Sequence, residues 1–125
     1  MPTIDEVLER ARRRLTRVEP RQAADEQPRG ALLIDIRTEA QRAGQGKISG
    51  ALVIDRTVLE WRPDPASPWR IAQTTDDQRR LIVICSEGCS SSLAAASLQD
   101  LGSAGATAVF GGFQARIAEA LPLES

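Results

Sequence analysis

The chain has 125 residues, with 42% hydrophobic content, a formal net charge of −1, two cysteines and no histidine. That length supports one hydrophobic core, so a single domain over residues 1–125 is expected, and the near-neutral charge argues against a nucleic-acid partner. Without histidine, Ser-His-Asp and Cys-His catalysis and histidine-ligated zinc are excluded, and a nucleophile must be activated by backbone dipoles or by carboxylate, lysine or arginine neighbours.

Thr3 and Glu6 have the spacing of a capping box, and Ile4, Val7, Leu8, Ala11, Leu15 and Val18 fall on one helical stripe, which predicts an N-terminal amphipathic helix over 1–16. Its acids precede its arginines, so the run Arg10 to Arg17 reads as a solvated face matched to the helix dipole. Pro20 is placed to open a short second helix, and Pro28-Arg29-Gly30 to end the approach to the next strand. Ala31 to Ile36 is an apolar run interrupted by Asp35 and followed by Arg37, which predicts a strand with a structural ion pair at its end.

Thr38 with Gln41 suggests a second capping box, on a helix closed by Gly44 and Gly46. Ala51 to Ile54 reads as a short strand, and Thr57 with Glu60 as the cap of a helical turn ending near Trp61. Between Trp61 and Trp69 lie three prolines, so this loop is expected to be irregular yet stiff. The two tryptophans are placed to cap the core edge, to wall a pocket or to receive a partner.

Leu81 to Ile84 is an unbroken apolar run ending at Cys85. Ser86-Glu87-Gly88-Cys89-Ser90-Ser91 follows, and helical spacing then continues to Leu101 and Gly102. This predicts strand, tight turn and helix, with Cys85 at the ligand crevice of a parallel sheet and close to a helix N-terminus. A strand over Ala106–Phe110, the pair Gly111-Gly112 and a helix over Phe113–Leu121 complete the pattern. Strands alternating with helices predict an α/β domain: a mostly parallel sheet of four to five strands with helices on both faces.

Four pieces, Leu33-Ile-Asp-Ile-Arg37, Gly46-Lys-Ile-Ser-Gly-Ala51, Ile82-Val-Ile-Cys-Ser-Glu-Gly88 and Gly111-Gly-Phe113, resemble in order and spacing the single-domain rhodanese-like proteins, over a core of residues 17–121. The resemblance implies a sulfurtransferase in which Cys85 takes sulfane sulfur from a small donor (thiosulfate or a persulfide), holds it as a persulfide and passes it to a thiol acceptor. It also implies a six-residue loop, Cys85 to Ser90, whose amides at Ser86, Glu87, Gly88, Cys89 and Ser90 converge on the sulfur as an anion nest. Gly88 is expected at positive φ, and Ser90 or Ser91 as a helix cap with its hydroxyl turned inward.

Thiosulfate-using members often carry loop arginines at the positions of Ser86 and Ser90. This chain has Glu87 and no loop cation, which predicts poor use of a dianionic donor. Phosphatases of this fold have a longer loop ending in arginine, where Ser91 stands. Cys89 is either a resolving thiol at the pocket mouth or an ordinary loop position. Two further readings stay open: a non-catalytic interaction module with a protein partner, and a Cys85/Cys89 thiol redox protein. Asp35 and Arg37 are expected to support the site. Neither cofactor nor metal is expected, and with no bilayer-spanning apolar run and a charged N-terminus the chain is expected to be cytoplasmic and free of membrane.

Overall fold

The computed structural model describes residues 1–123. Four parallel strands form one sheet: β1 (Leu32–Asp35), β2 (Leu52–Val53), β3 (Leu81–Ile84) and β4 (Ala106–Ala108), in the order β2-β1-β3-β4. Leu32 pairs with Leu81 and Asp35 with Ile84, while Ile34 pairs with Leu52 and Leu81 with Ala106. A single bridge, Val18 to Val109, adds a rudiment of a fifth strand beyond β4.

Alternation along the strands splits the apolar residues into two cores. Ile34, Leu81, Val83 and Cys85 face Ala94, Ala95 and Leu98 on one side. Leu33, Ile82 and Ile84 face Val18, Ala23, Val109 and Phe113 on the other. The first side is covered by α4 (Ser90–Asp100), the second by α2 (Pro20–Glu26) and α5 (Gly112–Ala118). All four residues of β3 are buried, as a central parallel strand covered on both faces requires.

Helix α1 (Ile4–Arg13) lies on the outer side of α4, tied to it by an ion pair of Arg14 with Asp100 at 2.6 Å. It stops short of the expected 1–16 because the N–H groups of Arg14 and Leu15 turn back to the carbonyls of Ala11 and Arg12, each at 3.1 Å, in a tight closing turn. Leu15 and Val18 therefore leave the stripe and pack independently, while Ile4 and Val7 remain exposed. The Thr3 hydroxyl accepts from the Glu6 N–H at 3.1 Å. Helix α3 (Glu39–Gln45) shows the full reciprocal box between Thr38 and Gln41, and ends at Gly46.

Two expectations shift. The turn Arg56–Trp61 is a 3₁₀ segment capped by Asp55 rather than Thr57. The Asp55 carboxylate accepts from the Thr57 N–H at 2.9 Å and its hydroxyl at 2.7 Å, bonds that hold its pKa below the ordinary carboxylate range. The last helix begins at Gly112 and ends at Ala118, one residue earlier and three residues earlier than its predicted bounds.

The connectivity positions the site. From β1 the chain moves outward to β2, and from β3 it moves outward the other way to β4, so the strand order reverses between β1 and β3. At such a point the two crossover connections diverge and leave a crevice beyond the carboxyl ends of the strands. Arg37 follows β1 there, and Cys85 follows β3.

Candidate active site

Cys85 is buried, with its sulfur at the start of α4. The amides of Gly88 and Ser91 donate to Sγ at 3.1 and 3.3 Å, and the Ser91 hydroxyl lies 3.2 Å away. A thiol there donates to the Ser91 oxygen; a thiolate receives all three donors. The nest is therefore narrower than the five amides expected from the resemblance. Gly88 contributes, Ser91 joins from the first turn of the helix, and the amides of Ser86, Glu87, Cys89 and Ser90 make no hydrogen bond to the sulfur.

The geometry of the turn explains this selection. Gly88 has φ +94°, which turns its N–H back over Cys85. Its carbonyl points outward, where it accepts from the Ser92 hydroxyl at 3.0 Å and from Arg12 Nη2 at 3.2 Å. The N-cap of α4 is Cys89, whose side chain makes no capping bond, so neither Ser90 nor Ser91 caps the helix as expected. The Cys85 sulfur takes that place by accepting from the Ser91 N–H.

The loop is also held from behind. Phe113 N–H donates to the Cys85 carbonyl at 2.8 Å and Gln114 N–H to the Ser86 carbonyl at 3.0 Å. These bonds draw the carbonyl oxygens toward α5 and away from the sulfur, where a negative end would oppose an anion. They need close backbone approach: a Cβ on Gly112 would stand 2.6 Å from the Cys85 oxygen and 2.7 Å from the Gly88 nitrogen.

Ser86 is half-buried, and its hydroxyl accepts from Gln45 at 3.1 Å. Gln45 in turn accepts from Arg37 Nη1 at 3.3 Å. Arg37 and Asp35 form a fully buried ion pair at 2.8 Å, with Arg37 also stacked over Phe113 at 3.9 Å and donating to the Gly46 carbonyl. Nearly every polar group of the pair is occupied, so it acts as a strut from β1 to the loop; losing one partner of such a pair typically costs about 3–5 kcal/mol. Arg116, beside Arg37, has its pKa lowered by burial and by that neighbouring charge.

Glu87, Cys89 and Ser90 are exposed. The two cysteines are not joined to each other, and both line a cavity of about 320 Å³ whose wall includes Arg37, Gln41, Arg56, Ser86, Glu87 and Ser90. Arg12 Nη2 lies 3.9 Å from the Cys89 sulfur and its Nε donates to Ser92 at 3.2 Å. Trp61 and Trp69 are 54% and 65% exposed around a separate surface groove with Val58 and Arg62, so they neither cap the core edge nor wall the cysteine cavity.

Sequence reasoning gave no site role to Arg56, to Gln45 or to Gly112, which stood only in one of the four matching pieces, and it read Arg12 as part of a solvated face, whereas Arg12 bonds to Ser92 and Gly88. Arg56 carried one usable signal: it closely follows β2, and carboxyl ends of parallel strands face the crevice. Arg12 carried none, since it reaches the loop across 76 residues.

Among solved structures, a protein of unknown function and possible tyrosine phosphatase from Rhodopseudomonas palustris is 28% identical, with a TM-score of 0.91 over 99% of this chain and 96% of that one. The human single-domain sulfurtransferase TSTD1 is 24% identical, TM-score 0.65, over 85% and 97% of the two chains. A rhodanese-like domain protein from Staphylococcus aureus is 20% identical, TM-score 0.63, over 89% and 100%. The last two show the shared fold. No curated protein sequence matches. The family model of the rhodanese-like domain matches residues 19–119, a span that holds all four strands, the Cys85 loop and the glycine pair behind it, and the chain belongs to the rhodanese-like family.

Proposed function

We propose that the protein is a sulfurtransferase in which Cys85 carries sulfane sulfur between a small donor and a thiol acceptor. With thiosulfate as donor, the Cys85 thiolate attacks the outer sulfur, the S–S bond breaks and sulfite leaves with the bonding pair. The product is a Cys85 persulfide anion. An acceptor thiolate then attacks the terminal sulfur, forms its own persulfide and returns Cys85 as thiolate. No electrons enter or leave the cycle as a whole, so no redox cofactor is called for. The observation that carries the reading is the trio of donors from Gly88 and Ser91 around Sγ, which favours an anionic sulfur without any histidine. A reducing cytoplasm, where free thiols persist, suits this chemistry.

The test is mass spectrometry of the intact chain after incubation with thiosulfate and, separately, with glutathione persulfide. Gain of one sulfur on Cys85, removed by added thiol and absent in Cys85→Ser, is the expected result. An inert Cys85 would support the non-catalytic interaction module instead.

Phosphatase chemistry is the second reading, favoured by the Rhodopseudomonas palustris neighbour. The geometry favours it less: Ser91 stands where those loops end in arginine, and its hydroxyl and amide are already committed to the sulfur. Sulfur gained without turnover of a phosphotyrosine analogue separates the two. The dithiol reading predicts a Cys85–Cys89 disulfide, and retention of sulfur transfer by Cys89→Ser would set it aside.

A further inference from the structure

The Cys85 loop contains one acid and no cation, yet an arginine from elsewhere stands in the wall of its cavity. Arg56 opens the 3₁₀ segment beyond β2. Its Nη1 lies 2.9 Å from both carboxylate oxygens of Glu60, and Glu60 Oε2 accepts from the Ser97 hydroxyl of α4 at 2.7 Å. Neither Glu60 nor Ser97 lines the cavity, so the guanidinium is gripped from outside it. The grip uses one nitrogen. Nε–H and the Nη2 hydrogens make no hydrogen bond with the described residues, and the side chain is 37% exposed.

The other arginine in the wall cannot serve. Arg37 is fully buried, and its donors go to Asp35, Gln45 and Gly46. An immobilised guanidinium with an unused donor edge, sharing a cavity with a nucleophile, is a receptor for a planar or tetrahedral anion. Reading the loop charge alone therefore underestimates what the cavity offers a negative ligand; Glu87 opposes from an exposed position, where solvent weakens it.

We propose that Arg56, positioned by Glu60 and Ser97, is the anion-binding residue of the Cys85 cavity, so that the site selects small molecules with a negative group next to the atom Cys85 attacks. Thiosulfate and the persulfide of a carboxylate-bearing thiol have that form. The inference rests on Cys85 being the nucleophile of the proposed sulfur carrier.

Its test does not need sulfur transfer. Iodoacetate and iodoacetamide alkylate a thiolate by the same displacement, in which an S–C bond forms and iodide leaves, but only the first is an anion. The ratio of their rates at Cys85, resolved from Cys89 by fragment-ion mass spectrometry, reads the charge of the cavity. Arg56→Gln should lower that ratio about threefold to tenfold while leaving the iodoacetamide rate within about twofold, and the drop should shrink at high salt. Arg56→Lys should restore part of the preference, which a general disturbance of the fold would not do. An unchanged ratio in Arg56→Gln overturns the proposal. A lowered ratio, in a protein whose wild type takes no sulfur from thiosulfate or glutathione persulfide, upholds the anion site and overturns the sulfur carrier.

Discussion

Gly112 shows how tightly single residues are set around the Cys85 loop. At φ +62° it lies in the left-handed region, and an added methyl would overlap the Cys85 oxygen, the Gly88 nitrogen and the Ser86 carbonyl carbon, the last at 2.9 Å. The neighbours are backbone, so they cannot swing aside as a flexible side chain would. Gly112→Ala should therefore cost about 1–3 kcal/mol through backbone strain, and push the Gly88 amide off the sulfur. Loss of one such donor commonly slows an anion-stabilised step about a hundredfold. Sulfur loading of Cys85 timed by mass spectrometry, beside urea unfolding of the same variant, checks both effects. Loading at the wild-type rate would mean that the glycine pair is spacing and not support.

At the scale of elements, the 3₁₀ segment Arg56–Trp61 links the cavity wall to α4 through Glu60 and Ser97. Burial by itself raises the Glu60 pKa. The Ser97 hydroxyl, the residue's own backbone N–H and Arg56 together outweigh that, and the net effect holds the Glu60 carboxyl below the ordinary glutamate range. A carboxylate with a depressed folded pKa contributes stability that is complete above its unfolded pKa and is lost as pH falls through the folded one. Wild type should thus exceed Glu60→Gln in denaturant midpoint at pH 7, with the gap closing below about pH 4.5. A gap that persists unchanged to pH 3 would assign the difference to packing. This link was only half legible in the sequence. The i,i+4 spacing of Arg56 and Glu60 was there, but the helical register suggested Thr57 as the cap, whereas the Asp55 carboxylate caps from two residues earlier by accepting from the Thr57 N–H and hydroxyl.

For the whole molecule, strand order decides what the crevice contains. The buried run Leu81–Ile84, the switch from period two to helical spacing after Cys85, and the glycine at 88 made the fold and the place of the Cys85 loop legible, because each is a local pattern. The cavity wall was not, because its parts come from the segments that follow β1 and β2, from α3 and from the start of α4, while the brace on the loop comes from α1, outside the matched span 19–119. Helix α1 is more than a cover: Arg12 braces the outward face of the turn through Gly88, Ser92 and Cys89. Arg12→Ala should leave global stability within about 1 kcal/mol, or about 4 °C in Tm, since these bonds lie near the surface. Amide exchange over residues 86–91 should nevertheless accelerate several-fold. Protection of those amides as in wild type would show that α1 does not restrain the loop.

The acceptor that closes the first turn of α4 is also the atom on which chemistry is proposed to occur. Alkylation, oxidation or addition of a second sulfur at Cys85 changes the charge and position of that acceptor, and so changes how firmly the helix begins. The first turn of the helix is therefore expected to loosen or tighten with the occupancy of the thiol. The Ser91 amide proton thereby becomes a reporter, and its chemical shift and exchange rate should record at every moment what the cysteine is holding, without any label on the sulfur itself.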